Sequence, residues 1–250
     1  MFKQTPDPIA FTIFNYDIRW YGVLVASGFL VAIVLIYYRA PKYAINRDHT
    51  LDMFLSCIVL SIIGARLYYV IFSWDYYSEN LSQIILINQG GLAIHGGLIL
   101  GGLGLFVLCS RKKINFLNTL DLFAPAVVLA QSIGRWGNYF NMEAHGKATD
   151  LPWAIPINGE MVHPTFLYES IWCLLLFIFL IIYENRRQFS GQIFLLYGFL
   201  YSLERFFVEG LRTDSLMIGP FRQAQLFSLG VMLLCLIVYI SLRRKIKTKI

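Results

Sequence analysis

Seven apolar runs, each close to the roughly 20 residues that cross a bilayer as a helix, take up most of this 250-residue chain. They fall at roughly 20–38, 51–73, 92–110, 119–138, 165–183, 192–209 and 224–242. Hydrocarbon offers no partner to a backbone N–H or C=O, so each run must close its own hydrogen bonds as a helix. The composition agrees: 57% of residues are hydrophobic and 14% charged, where soluble domains carry about a quarter charged. The expected fold is an all-α integral membrane protein of seven transmembrane helices, one polytopic domain spanning residues 1–250.

The basic residues set the expected orientation. Arg39, Lys42 and Arg47, then Arg111, Lys112 and Lys113, then Arg186 and Arg187, then Arg243, Arg244, Lys245, Lys247 and Lys249 lie on one side of the runs. Only Lys3, Arg19, Lys147, Arg212 and Arg222 lie on the other. Lys and Arg concentrate in cytoplasmic loops, so the N-terminus is expected outside and the C-terminus in the cytoplasm. The net charge of +6 is accounted for by those loops, and no nucleic-acid partner is expected. MFKQTPDPIAF lacks the charged n-region and short apolar core of a cleaved signal, so the first span is expected to act as the signal. The segment from roughly 139 to 163, with Pro152, Trp153, Pro156 and the turn Asn158-Gly159, is too polar to span. It is expected to form a small extracytoplasmic head between helices 4 and 5. Cys57, Cys109, Cys173 and Cys235 sit in or at the end of apolar runs without a CxxC pair, as small packing residues do.

Four polar islands interrupt the apolar pattern: AIHGG (93–97), GRWGNYFNMEAHG (134–146), HPTFLYE (163–169) and YSLERFFVEGLR (201–212). Ionisable groups at membrane depth are expensive and mark functional sites. With the orientation above, all four islands reach the outer leaflet. Tyr201, Arg205 and Glu209 recur at i, i+4, i+8 and share one helix face, with Arg212 next along; the competing reading is a structural ion pair. Arg135 and Asn138 share a face on the fourth span, beside Gly134 and Gly137, which permit close approach of a helix or ligand. Two arginines form a clamp suited to phosphate, because the planar guanidinium binds two oxygens. At the outer leaflet the available phosphate is a phospholipid headgroup. His95, with Gly96 and Gly97 leaving space around its ring, is the candidate proton acceptor, since imidazole titrates near neutrality. Glu169 needs a cationic partner, and Arg66 is either that partner or a lipid contact. His163 caps or anchors a span entrance. Trp20 and Tyr21 open the first span as belt aromatics do. Glu143 and Asp150 fit a solvated head. His49, in a cytoplasmic loop, and His145 lack metal-ligand spacing, so no metal or cofactor is expected.

The run GRWGNYFNMEAHG resembles the signature G-R-x-G-N-F-x-N-x-E-x-x-G of the prolipoprotein diacylglyceryl transferases, with Tyr139 where Phe is usual. IRWYG (18–22), HGG (95–97), HPTFLYE and RFFVEGLR (205–212) match that family in order. At FRQAQLFS (221–228), Ala224 stands where the family often has Gly. The resemblance covers nearly the whole chain. It implies an enzyme of the bacterial cytoplasmic membrane that moves a diacylglyceryl group from phosphatidylglycerol to the lipobox cysteine of a prolipoprotein signal peptide. Position by position it implies that Arg135 and Arg205 are essential, and that His95 and Tyr21 belong to the catalytic site. Asn138, Glu143, Gly146, Glu169, Tyr201 and Glu209 are implied to shape the lipid site.

The alternative is an anion or lipid transporter using the paired arginines. It calls for internal repeats or helices broken at mid-membrane, and the polar groups are biased to one face instead. A non-catalytic seven-span lipid-binding protein has no need of a His beside paired arginines. An intramembrane serine protease needs a nucleophile motif that is absent. The topology has a direct check: a single Cys at position 112, on a background without native Cys, should react with an impermeant thiol reagent only after cells are permeabilised. Labelling from outside intact cells refutes the orientation.

Overall fold

The structure is a computed structural model that describes residues 6–87, 90–157 and 159–247. Lys3, Asn158, Lys249 and the side chain of Lys247 lie outside the described residues. Among the described residues eight α-helices carry the fold: α1 (Trp20–Arg39), α2 (Arg47–Phe72), α3 (Trp74–Glu79), α4 (Ile94–Arg111), α5 (Phe116–Phe140), α6 (Thr165–Tyr183), α7 (Gln192–Leu211) and α8 (Gln223–Lys247). Six of them, α1, α2, α4, α5, α6 and α8, are long and apolar enough to cross a membrane, which makes this a multi-pass membrane protein. The seventh expected run is helical as well. α7 is not among those six; Glu204, Arg205 and Glu209 place three charges in its second half.

Among the described residues there are three short antiparallel hairpins: β1–β2 (Ile9–Ile13 with Tyr16–Arg19) ahead of α1, β3–β4 (Ile155–Ile157 with Glu160–Val162) between α5 and α6, and β5–β6 (Met217–Ile218 with Phe221–Arg222) between α7 and α8. The segment between α5 and α6 carries the β3–β4 hairpin. The first hairpin turns at Phe14 and Asn15, both at positive φ (46° and 65°), the backbone of a type I′ turn.

The chain divides into two compact units, Met1–Ile36 with Leu120–Ile250, and Tyr37–Thr119. In the second unit α2 and α4 meet along small residues. Gly64 and Gly96 face each other so closely that a Cβ on either would overlap the other's carbonyl. Gly97 lies over the Ser61 carbonyl and Gly101 over the Ser61 hydroxyl. Lipid provides no hydrophobic drive between helices, so close backbone approach through small residues is how such pairs hold. This overturns the expectation that Gly96 and Gly97 leave space for His95: both glycines are buried in the seam, and the His95 side chain points away, exposed. Arg66 is a loop organiser. Its Nε donates to the Ile84 carbonyl at 2.7 Å, Nη1 to Gly90 and Gly91 at 2.8 and 3.0 Å, and Nη2 to Gln83 at 2.6 Å. His49 sits in the first turn of α2 rather than a loop, with its Nδ1 3.1 Å from Lys112 Nζ.

In the first unit Ala124 and Val128 of α5, Cys173, Leu176 and Leu180 of α6 and Ile193 of α7 form one buried cluster. Asp121 of α5, fully buried, accepts from the Gly191 and Phe194 backbone N–H groups at 2.7 and 2.8 Å and pairs with Arg187 at 3.2 Å. A carboxylate there satisfies the otherwise open donors at the start of α7 and its positive dipole end.

The α2–α4 seam generates a contrast. Gly96→Ala inserts a methyl group where backbone already touches backbone, and overpacking costs about 1–3 kcal/mol. Gly102→Ala, with open space around its Cβ, should raise helix propensity at no steric cost. Thermal melts in detergent should show a lower Tm for the first and an unchanged or higher Tm for the second.

Candidate functional site

Three of the four polar islands meet in the first unit, and Glu169 is where they join. It lies in the second turn of α6 and is buried, its side chain 1% exposed. Its Oε2 is 3.1 Å from Arg135 Nη1 of α5, and its Oε1 accepts from Arg205 Nη1 of α7 at 2.6 Å. Arg135 Nη2 donates to the Tyr201 hydroxyl at 3.0 Å, and Arg205 Nη2 pairs with Glu209 at 2.6 Å. The i, i+4, i+8 stripe of α7 therefore points as a unit toward Arg135 and Glu169. The partner of Glu169 is this arginine pair, while Arg66 serves its own loop.

Neighbouring hydrogen bonds set the level at which α5 and α6 meet. Ser132 Oγ donates to the Ser170 carbonyl at 2.8 Å, Ser170 Oγ to the Ser132 carbonyl at 2.9 Å, and Trp136 Nε1 to Ser170 Oγ at 3.1 Å. These small polar links lock the turn of α5 before Arg135 to the residue after Glu169. Two arginines and two glutamates then balance to zero charge, which makes burial of two guanidiniums tolerable. The Arg135 and Arg205 side chains are 20% and 21% exposed.

The other predicted residues surround this cluster. Tyr21 lays its ring over Gly137, where a Cβ would come within 2.6 Å of it; the glycine admits the neighbouring helix α1. Trp20 stacks on Phe140 with ring centroids 5.1 Å apart. Asn138 donates to Glu143 at 2.9 Å, so these two residues hold each other across the exit of α5. Gly146 donates its N–H to the His163 carbonyl at 3.0 Å and bridges to Arg212; a Cβ would come within 2.6 Å of the His163 Cβ. Arg212 departs from the expected stripe. Its guanidinium is engaged by Asp214 at 2.6 and 2.8 Å, and this hydrogen bonding holds the Asp214 carboxyl below its ordinary range. His163 anchors rather than caps, with Nδ1 3.2 Å from the Tyr168 hydroxyl. His95 belongs to the other unit, at the second residue of α4, its ring centroid 6.1 Å from that of Tyr68. Among the described residues no group of three or more His, Cys, Asp or Glu is placed to hold a metal.

Three residues of consequence escaped the sequence reading. Asp121, near the start of an apolar run, was assigned no role. Arg222 was counted only as an outer charge, yet its Nη1 donates to the carbonyls of Glu209 and Arg212 and to Ser215 Oγ, closing the open end of α7. Glu204 stood beside Arg205 and was passed over, although a second intramembrane acid next to a first cation was itself a signal.

Comparison with known proteins settles the family. The sequence profile of the prolipoprotein diacylglyceryl transferases matches residues 8–241. The chain belongs to the prolipoprotein diacylglyceryl transferase family. It is similar to the phosphatidylglycerol–prolipoprotein diacylglyceryl transferase of Finegoldia magna, 48% identical over 96% of this chain and 97% of the relative. The proteins of the same name from Clostridioides difficile and Clostridium novyi are 47% and 46% identical, covering 98% and 97% of this chain and 98% of each relative. In this transferase all the charged groups that meet at the bundle's polar centre come from α5, α6 and α7.

One carboxylate serving two cations gives a prediction. Glu169→Ala leaves two partly buried guanidiniums facing each other, and removing one member of a buried pair costs about 3–5 kcal/mol. Glu209→Ala leaves Arg205 still bound to Glu169. The melt of Glu169→Ala should fall well below that of Glu209→Ala; equal melts refute the shared-carboxylate account.

Proposed function

We propose that the chain transfers the diacylglyceryl group of phosphatidylglycerol to the lipobox cysteine of prolipoprotein signal peptides, at the outer leaflet of the bacterial cytoplasmic membrane. Family membership over nearly the full length carries the reaction. The arginine pair on Glu169 supports the roles. The thiol sulfur attacks the glycerol carbon that bears the phosphate. A sulfur–carbon bond forms, the carbon–oxygen bond breaks with its electron pair going to the phosphate oxygen, and glycerol phosphate leaves. The thiol proton passes to a base, a role we assign to His95, because a thiol near pKa 8.5 is a weak nucleophile until deprotonated.

Arg135 and Arg205 receive the charge that grows on the leaving phosphate. Donors fixed in place before reaction stabilise developing charge strongly where water is scarce. Glu169, Glu209 and Tyr201 are the groups that fix them. A charge-balanced cluster also admits a phosphodiester without first having to release a bound anion. Tyr21, Asn138, Glu143 and Gly146 shape the headgroup end, and Arg212 with Asp214 closes it. α7 is the seventh span, its charged face turned into the bundle. The segment with β3–β4 is the extracytoplasmic head, the N-terminus lies outside and the C-terminus in the cytoplasm. On this reading residues 1–250 work as one membrane domain without metal or cofactor.

The test is turnover by purified protein with phosphatidylglycerol and a lipobox peptide, followed by mass spectrometry. The peptide should gain a diacylglyceryl mass at Cys, and a Cys→Ser peptide should gain none. Arg135→Ala and Arg205→Ala should each lose about 10²–10³ in kcat. Arg→Lys at either position should recover part, because Lys lacks the bidentate fork. A folded double variant, Arg135→Ala with Arg205→Ala, that turns over at near-normal rate ends this mechanism.

A further inference from the structure

Arg135 and Arg205 share Glu169 but are held differently on their other side. Arg205 has a second carboxylate, Glu209, at 2.6 Å. Arg135 has instead the Tyr201 hydroxyl, which accepts from its Nη2 at 3.0 Å. A hydroxyl orients a guanidinium without a charge of its own to draw it in. The second hold on Arg135 is therefore only as firm as the ring that carries that hydroxyl.

The ring is braced one turn away. Tyr197 precedes Tyr201 by four residues on α7, and Gln131 precedes Arg135 by four on α5, so the members of each pair lie on one helix face. The Tyr197 hydroxyl donates to Gln131 Oε1 at 3.1 Å. The Tyr197 and Tyr201 rings pack with centroids 5.7 Å apart and planes tilted by 35°, and both rest on the buried cluster of α5, α6 and α7. Two parallel links thus join α5 to α7, Gln131 with Tyr197 and Arg135 with Tyr201, about one helical turn apart. The first link contains no charged group. The hydrogen bond at the tip of Tyr197 stops its ring from swinging, and that ring in turn limits where the Tyr201 ring can stand.

We propose that Gln131 and Tyr197 are positioning residues of the transfer reaction: their hydrogen bond holds Tyr201, and through it the Arg135 guanidinium, in the orientation that meets the leaving phosphate. The inference rests on the reading of Arg135 as a receiver of that charge. Neither residue has to touch lipid or peptide for this role. A donor fixed in advance is worth most in the transition state, and one free to turn away loses that worth through the cost of ordering it. The competing account is a link that keeps α5 and α7 together with no bearing on rate.

The experiment separates the two by pairing stability with turnover. Tyr197→Phe leaves Gln131 Oε1 without its donor, so Tm and kcat should both fall. Removing both partners of a buried hydrogen bond is nearly neutral for stability, so Gln131→Met with Tyr197→Phe should melt close to wild type. Its kcat for thioether formation should nonetheless stay about five- to tenfold down, the worth of one hydrogen bond. KM should change little, because the loss is felt in the transition state. In a Tyr201→Phe background the same double change should cost nothing further, since the link then has no hydroxyl to hold. A double variant that melts normally and turns over at the wild-type rate overturns the proposal, and so do equal losses with and without the Tyr201 hydroxyl. If the double variant does not fold, Tyr197→Phe alone, assayed below its melting temperature in both backgrounds, carries the same comparison. A readout without turnover is NMR of nitrogen-labelled arginine: rotation of the Arg135 guanidinium should be faster in the variants, and unchanged rotation overturns the proposal. If wild type forms no thioether, the substrate reading fails, and that rotation alone decides whether the link positions Arg135.

Discussion

A single buried carboxylate, Glu169, sets the arrangement of the three helices that matter most. Each of its oxygens faces a guanidinium from a different helix, so α5, α6 and α7 cannot slide past one another without separating charge in a medium that penalises it. In water such a pair contributes little, because solvent competes for both partners. Among apolar helices, unpairing is the costly event. The same contact that holds the bundle also holds both arginines in place before any lipid arrives. On the proposed mechanism, stability and readiness for chemistry are here one interaction.

Around that point the structure closes its backbone by side chains that reach across from other elements. Asp121 answers the open donors at the start of α7, and Arg222 answers the open carbonyls at its end. α7 carries three charged residues, Glu204, Arg205 and Glu209, within its length, so it gains little from burial in lipid. Satisfying both ends compensates for that weakness. Arg66 does the same for the connection between α2 and α4, gathering five loop carbonyls onto one guanidinium.

What was legible beforehand was whatever breaks an apolar pattern. Arg135, Arg205 and Glu169 stood out because charge in a hydrophobic run has few innocent explanations, and helical spacing alone placed Tyr201, Arg205 and Glu209 on one face. Helices of spanning length followed from run length in the same way. Which charge meets which did not follow, because the pairing of Glu169 depends on how three helices are rotated about their axes. Gly96 and Gly97 were misread for a related reason: a glycine announces close approach without saying on which side, and here the near neighbour is α2 instead of a ligand. Arg212 looked continuous with the α7 stripe, yet the helix ends at Leu211 and the next turn delivers it to Asp214. Glu204 was hidden by its neighbour, since one cation and one anion side by side read as a pair although their side chains leave the helix in different directions.

The glycine seam between α2 and α4 has a mechanical meaning. Where backbone rests directly on backbone, there is no layer of flexible side chains to absorb a displacement. The two helices form a rod of double thickness, and the imidazole of His95 is mounted on its side one residue from the tightest contact. The position of that ring is therefore a property of the rod as a whole: tuning it by substitution means retuning a helix pair, and residues buried far along the seam act on it as levers.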